Sequence, residues 1–125
     1  MFDSDNIEGI DILRKTLPEN LQFWNKFGRI SEFHYDHIYD EVNNEYKGRI
    51  TVTLSDDSGD YEIRLKLINV SGRIGFDTVN GFHSGFTIDD CSGSGYENKY
   101  RFHIYSIEQD IDFELYCENI KAEMV

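Results

Sequence analysis

After residue 30, apolar and polar residues alternate with a period of two along most of the chain. In RITVTLS, Ile50, Val52 and Leu54 point one way, and Thr51 and Thr53 the other. In YEIRLKL, Tyr61, Ile63, Leu65 and Leu67 share a face opposite Glu62, Arg64 and Lys66. Successive side chains of an extended strand point to opposite faces, so each run predicts a strand with one buried side. DDSGD, a cluster of turn formers, separates the two and predicts an antiparallel hairpin. A second hairpin is expected where YRFHIYSI sets Tyr100, Phe102 and Ile104 against Arg101, His103 and Tyr105. Its other arm, DIDFELYC, sets Ile111, Phe113, Leu115 and Cys117 against Asp112, Glu114, Tyr116 and Glu118, after the short link EQD. Shorter strands are expected over residues 73–76 and 86–89, both bounded by glycines.

The N-terminal part follows another rhythm. LPENLQFWNKF carries Pro18 near its start and Leu21, Phe23, Trp24 and Phe27 at roughly helical spacing, with Gly28 as a stop. One short N-terminal helix is predicted there, packed on a sheet by Trp24 and Phe27. With six to seven short strands, the fold expected is mainly β: an antiparallel β-sandwich or a partly open barrel. The 125 residues are read as a single domain, 1–125, with no repeat and no linker.

The stretch EFHYDHIYDE, residues 32–41, raises the question of a metal or catalytic site. As a strand it places Phe33, Tyr35, His37 and Tyr39 on one face and His34, Asp36, Ile38 and Asp40 on the other. His37 then faces away from His34 and Asp36, so three ligands cannot meet on one ion without a bulge. As a helix it lacks the second histidine four positions on that an HExxH site needs. His83 and His103 lie in no ligand-spaced pair. The stretch is read as an acidic, aromatic strand, with no metal and no cofactor.

Composition narrows the function. Nine Phe, eight Tyr and one Trp supply core-filling rings and argue against disorder. Twenty-four acids against twelve bases give a net charge of -12. Such a field repels phosphate backbones, which excludes nucleic acid as a direct partner, and attracts a basic protein. No stretch approaches the length of a membrane helix, and the acidic start MFDSDNIEGIDIL is unlike a secretory signal. Cys91 and Cys117 form no disulfide framework, and a cytoplasmic location follows as the expectation. Cys117 is expected in the core and Cys91 in a polar loop.

Catalytic motifs are missing. There is no Walker loop and no G-x-S-x-G elbow; SGSGYEN reads as a strand connection. DDSGD lacks the spaced acids of a calcium loop and reads as an Asx-type turn. The carboxylate pairs fall on faces that read as solvated, away from the apolar cleft of a glycosidase. The expectation is no enzyme.

The succession FHYDHI, RITVTL, YEIRLKLINV and IDFELYCENIKAEMV resembles the small all-β immunity-type proteins of bacterial polymorphic-toxin systems, from about residue 22 to 125. Phe33, His34, Asp36, Asn69, Val70, Phe113, Cys117 and Ile120 carry the resemblance. Tyr35, inserted between His34 and Asp36, departs from it, as does His37 in place of a small residue. The resemblance implies a cytoplasmic protein that binds a cognate toxin domain and blocks it, without cofactor or turnover.

The reading that results is a non-catalytic acidic binding protein, in its most specific form an immunity protein that neutralises a basic toxin domain. Its expected contact surface is Tyr35, Asp36, Tyr39, Asp40 and Glu41 from the first strand, with Tyr105, Asp112, Glu114, Tyr116 and Glu118 from the last hairpin. Tyrosine supplies contact area with a polar tip and carboxylates steer the encounter. The alternative is a small-molecule-binding or metal-dependent hydrolase domain using a sandwich cleft near His34, Asp36 and His103. A third reading is a structural subunit pairing through exposed edge strands. The sequence leaves the oligomeric state and the partner's identity open.

Overall fold

The computed structural model describes residues 1–77, 86–93, 100–106 and 113–125. Among the described residues, two four-stranded antiparallel sheets face each other across a shared core, with the α-helix α1 (Ile10–Thr16) at the side. The first sheet has the order β1-β2-β3-β8, with β1 Arg29–Asp40, β2 Glu45–Ser55, β3 Glu62–Ile68 and β8 Asn119–Met124. The second has the order β4-β7-β6-β5, with β4 Ser71–Ile74, β5 Phe86–Asp90, β6 Phe102–Ser106 and β7 Phe113–Cys117. The expected sandwich is the observed architecture; the barrel alternative is not.

Period-two alternation is what builds it. Ile50, Val52 and Leu54 of β2, Ile63, Leu65 and Leu67 of β3, and Ile120 and Ala122 of β8 are buried. Phe102, Ile104, Phe113, Leu115 and Cys117 meet them from the second sheet. Burying a side chain of this kind is worth about 1.5–3 kcal/mol, so the interleaved rows dominate the stability. Both expected hairpins form, β2 with β3 and β6 with β7; the link 107–112 of the second lies outside the described residues. In the first, Asp56 is buried and accepts hydrogen bonds from Ser58 Oγ (2.6 Å) and the Tyr61 N–H (3.1 Å), an Asx-type turn.

Three expectations need correction. The described residues alone form eight strands where six to seven were expected, and β1 and β2, at 12 and 11 residues, are not short. The additional strand is β8, which pairs with β3 from Ile63↔Met124 to Ile68↔Asn119. The α-helix lies upstream of the expected one: residues 18–27 form two 3₁₀ turns, Glu19–Leu21 and Trp24–Lys26, broken at the extended Phe23. The break has a physical reason. It lets the buried Gln22 donate from Nε2 to the carbonyls of Arg14 (2.9 Å) and Leu17 (3.1 Å), closing the end of α1. Trp24 and Phe27 still reach the core, while Phe23 turns outward.

The chain changes sheets twice at one corner. Between β3 and β4, Asn69 adopts a left-handed conformation (φ 61) and the N–H groups of Asn69 and Val70 both donate to Gly48 O (2.8 and 3.1 Å). Between β7 and β8, the Glu118 N–H donates to Ile68 O (2.9 Å). The two crossings run side by side, and Asn69 Nδ2 ties them through Glu118 Oε2 at 3.3 Å.

Candidate binding surfaces

The two groups of expected contact residues lie on different parts of the sandwich. The first group belongs to a ribbon. β1 and β2 pair from Arg29↔Ser55 to Asp40↔Glu45, whereas β3 joins β2 only from Arg49 onward. At the usual strand rise, the β1–β2 pair extends roughly 10–13 Å beyond the sheet. Its conformation is tightly specified. Arg49 donates twice to Asp36, from Nε to Oδ1 (2.9 Å) and from Nη2 to Oδ2 (2.5 Å). Lys47 Nζ bridges Asp40 (3.0 Å) and Glu118 (3.1 Å), binding the ribbon to the sheet-crossing corner. Asp40 also accepts the N–H groups of Val42 (3.0 Å) and Asn43 (3.3 Å), closing the turn, and Asn44 takes a positive φ. Lys47 and these turn donors hold the Asp40 carboxyl down at about 2, and the Arg49 guanidinium holds Asp36 below its ordinary range.

What the ribbon exposes is mainly apolar or uncompensated. Tyr35 is 52% exposed, Tyr39 48%, Tyr46 74% and Val42 93%. The rings of Tyr39 and Tyr46 meet at 5.1 Å, and Tyr39 OH donates to Asn44 Oδ1. Among the described residues, Glu41 and Glu45 have no ion-pair partner. The sequence therefore places Tyr35, Tyr39 and Glu41 on an open surface. Asp36, Asp40 and Glu118 are partly exposed and also serve as braces, paired with Arg49 and Lys47. Val42, Glu45 and Tyr46 were missed; an aromatic residue next to the polar turn VNNE was the available signal.

Of the second group, Tyr105, Glu114 and Tyr116 stand on the outer face of the β4-β7-β6-β5 sheet, while Glu118 lies at the sheet-crossing corner with Lys47 and Asn69. His103 of β6 is sandwiched between Tyr105 (4.3 Å, 21° between planes) and Tyr116 of β7 (4.5 Å, 6°). Tyr100 meets Tyr116 edge-on at 5.3 Å. His103 Nε2 is buried without a hydrogen-bond partner and lies 3.6 Å from Glu114 Oε2; Arg73 approaches the other oxygen at 3.9 Å. A pocket of about 400 Å³ opens here, lined by Cys91, Tyr100, His103 and Tyr116. Tyr105 OH donates to Asp89 (2.8 Å), which with burial raises its pKa. Burial and the charges of Asp89 and Asp90 raise the pKa of the Cys91 thiol. The rings of Tyr105, His103 and Tyr116 stack on one another, which occupies both faces of the imidazole. Asp112 lies outside the described residues.

His34 and His103 do not share a cleft. His34 Nε2 lies 3.6 Å from Asp36 on the outer face of the first sheet, while His103 stands on the outer face of the second, with the core between them. His37 points away from His34 and Asp36, its Nε2 3.3 Å from Tyr35 OH. Among the described residues, no three His, Cys, Asp or Glu side chains are grouped to hold a metal, and no helix is long and apolar enough to cross a membrane. The chain matches no family model, no curated protein and no solved structure.

Proposed function

We propose that the protein is a non-catalytic acidic binding protein that neutralises a basic partner, in its most specific form a cognate toxin domain, and that the β1–β2 ribbon is its contact element. The ribbon carries this reading. Braced by Arg49–Asp36 and Lys47–Asp40–Glu118, it presents Tyr35, Tyr39, Val42 and Tyr46 beside Glu41 and Glu45, which have no ion-pair partner among the described residues. Preorganisation lowers the ordering cost of association, and exposed tyrosines are the residues that supply binding energy at interfaces. The net charge of -12 favours a basic target and a cytoplasmic setting is part of the reading. The test is association with the C-terminal domain of a toxin-like reading frame directly upstream of the gene. The expected on-rate falls about tenfold or more between low and high salt, as steered encounters do. An on-rate indifferent to salt removes the steering; no association removes the reading.

A second reading rests on the pocket beside His103, whose buried Nε2 has no hydrogen-bond partner among the described residues: a small polar ligand bound at Cys91, Tyr100, His103 and Tyr116. A thermal-shift screen with the wild type and His103→Phe tests it; a ligand that stabilises only the wild type supports it.

A further inference from the structure

β1 is hydrogen-bonded on one side only, to β2, and has no other strand beside it among the described residues. β4 is the corresponding edge of the other sheet. Between the two edges lies an open groove of about 310 Å³, floored by Phe33, Tyr35, Val70, Ile74 and Leu115, with Arg73 on its β4 side. An unpaired strand of 12 residues is a template for one more strand, because its outward N–H and C=O groups need partners. Its side chains specify what that strand carries. Phe33, Tyr35 and Tyr39 line the groove side. Glu32, Asp36 and Asp40 line the other side, alternating with His34 and Ile38. The cations that meet these three carboxylates, Arg64, Arg49 and Lys47, all stand on β2 and β3. No other Lys or Arg forms an ion pair with these three carboxylates among the described residues, and Arg73 stands on the groove side, beside Glu114. A second copy would bring another -12 and another row of carboxylates to the same line.

We infer that β1 accepts an extended segment of a basic protein as an added strand. Its apolar residues lie over Phe33, Tyr35 and Tyr39, and its Lys or Arg residues lie beside Glu32, Asp36 and Asp40. The inference rests on the ribbon being the contact element and adds the pattern it reads: alternating apolar and basic residues. Main-chain hydrogen bonds supply affinity in such additions, and the alternating side chains supply selectivity.

The probe is a capped synthetic peptide of alternating Lys and Val, compared with an isomer holding the same residues in two blocks. Backbone amide spectra follow each titration at physiological salt. The alternating peptide is expected to bind about tenfold tighter than its isomer, with shifts confined to residues 32–40 and their β2 partners. N-methylating one alternate set of its amides abolishes binding, while methylating the other set leaves it. Equal binding of the two isomers, shifts on another face, or no saturable binding overturns the inference. So does light scattering that shows the protein alone pairing through β1. If the peptide binds in this way and the upstream-encoded domain does not bind, the strand site stands and the neutralisation reading falls. If that domain binds while the β1 amides stay unprotected, the reverse holds.

Discussion

Asp36 and Arg49 stand opposite each other on β1 and β2 and are joined by two parallel hydrogen bonds of 2.9 and 2.5 Å, at the point where the ribbon leaves the sheet. Planar fork-to-carboxylate pairing fixes orientation as well as distance. Arg49→Met keeps the length of the side chain and removes the fork. Amide exchange over residues 37–47 is expected to speed up, while the amides of β3 stay as protected as before. Uniform protection in the variant would show that the turn alone holds the ribbon. Arg49 lowers the Asp36 pKa, so this bracing is complete above the ordinary carboxylate range and is lost as pH falls through the lowered value.

The N-terminal segment is held by another carboxylate. Burial pushes the pKa of Asp90 up, but hydrogen bonds from Ser92 (side chain and N–H), Asn6 (2.6 Å) and Ser4 (2.7 Å) outweigh it and bring it to about 2 from 3.8. A depressed folded pKa stabilises above the unfolded value and loses that contribution as pH falls through the folded one. Stability is therefore expected to drop between about pH 4 and pH 2. Asp90→Asn should flatten that segment of the acid titration and cost about 1–2 kcal/mol at neutral pH. Denaturant titrations across this range check both.

Two glycines with positive φ separate backbone strain from crowding. Gly59 (φ 77) sits in the β2–β3 turn, where an added Cβ meets nothing within 4 Å; Gly72 (φ 114) sits in β4, where a Cβ would lie 2.1 Å from Glu114 O. Gly59→Ala is expected to cost about 1 kcal/mol, the left-handed penalty alone. Gly72→Ala should cost about 3 kcal/mol or more, because the β4–β7 ladder must part. Equal effects in thermal unfolding would refute the distinction.

Contact residues should be separable from braces. Tyr46→Ala and Glu45→Lys change exposed side chains without a role in the core, so stability should stay within about 0.5 kcal/mol. Affinity for the upstream-encoded domain is expected to fall about tenfold or more with Tyr46→Ala. With Glu45→Lys, mainly the on-rate should fall. Unchanged binding kinetics in both would move the contact away from the ribbon tip.

Much of the fold was legible because burial on one face of a sheet writes itself as alternation: Ile50, Val52 and Leu54, or Ile63, Leu65 and Leu67, could be placed inward by eye. Alternation also marks Ile120, Ala122 and Met124 of β8, yet the run adjoins β7 so closely that the two read as one strand. α1 left a signal in Ile10, Leu13 and Leu17, with Asp11 in its first turn and Arg14 and Lys15 in its last. The stronger apolar run that ends in Trp24 and Phe27 drew the helix assignment, and its α-helix is replaced because Gln22 is needed at the end of α1. The contact surface was legible only in part. Alternation gives the face of each residue, but not that Arg49 and Lys47 reach across to Asp36 and Asp40. Sheet order, which puts β1 at an edge, is a property of long-range pairing that no local pattern carries.

The crossing from β7 into β8 has a consequence for biosynthesis. β3 leaves the ribosome long before residues 119–124, which are the ones that cover its second edge. Until they emerge, the first sheet of the nascent protein carries two naked borders, β1 and β3, and Ile120 and Ala122 are missing from the core beside Ile63, Leu65 and Leu67. Translation that stalls just short of residue 119 would leave a half-built product prone to clump with its neighbours, and chaperone demand should be highest in that interval.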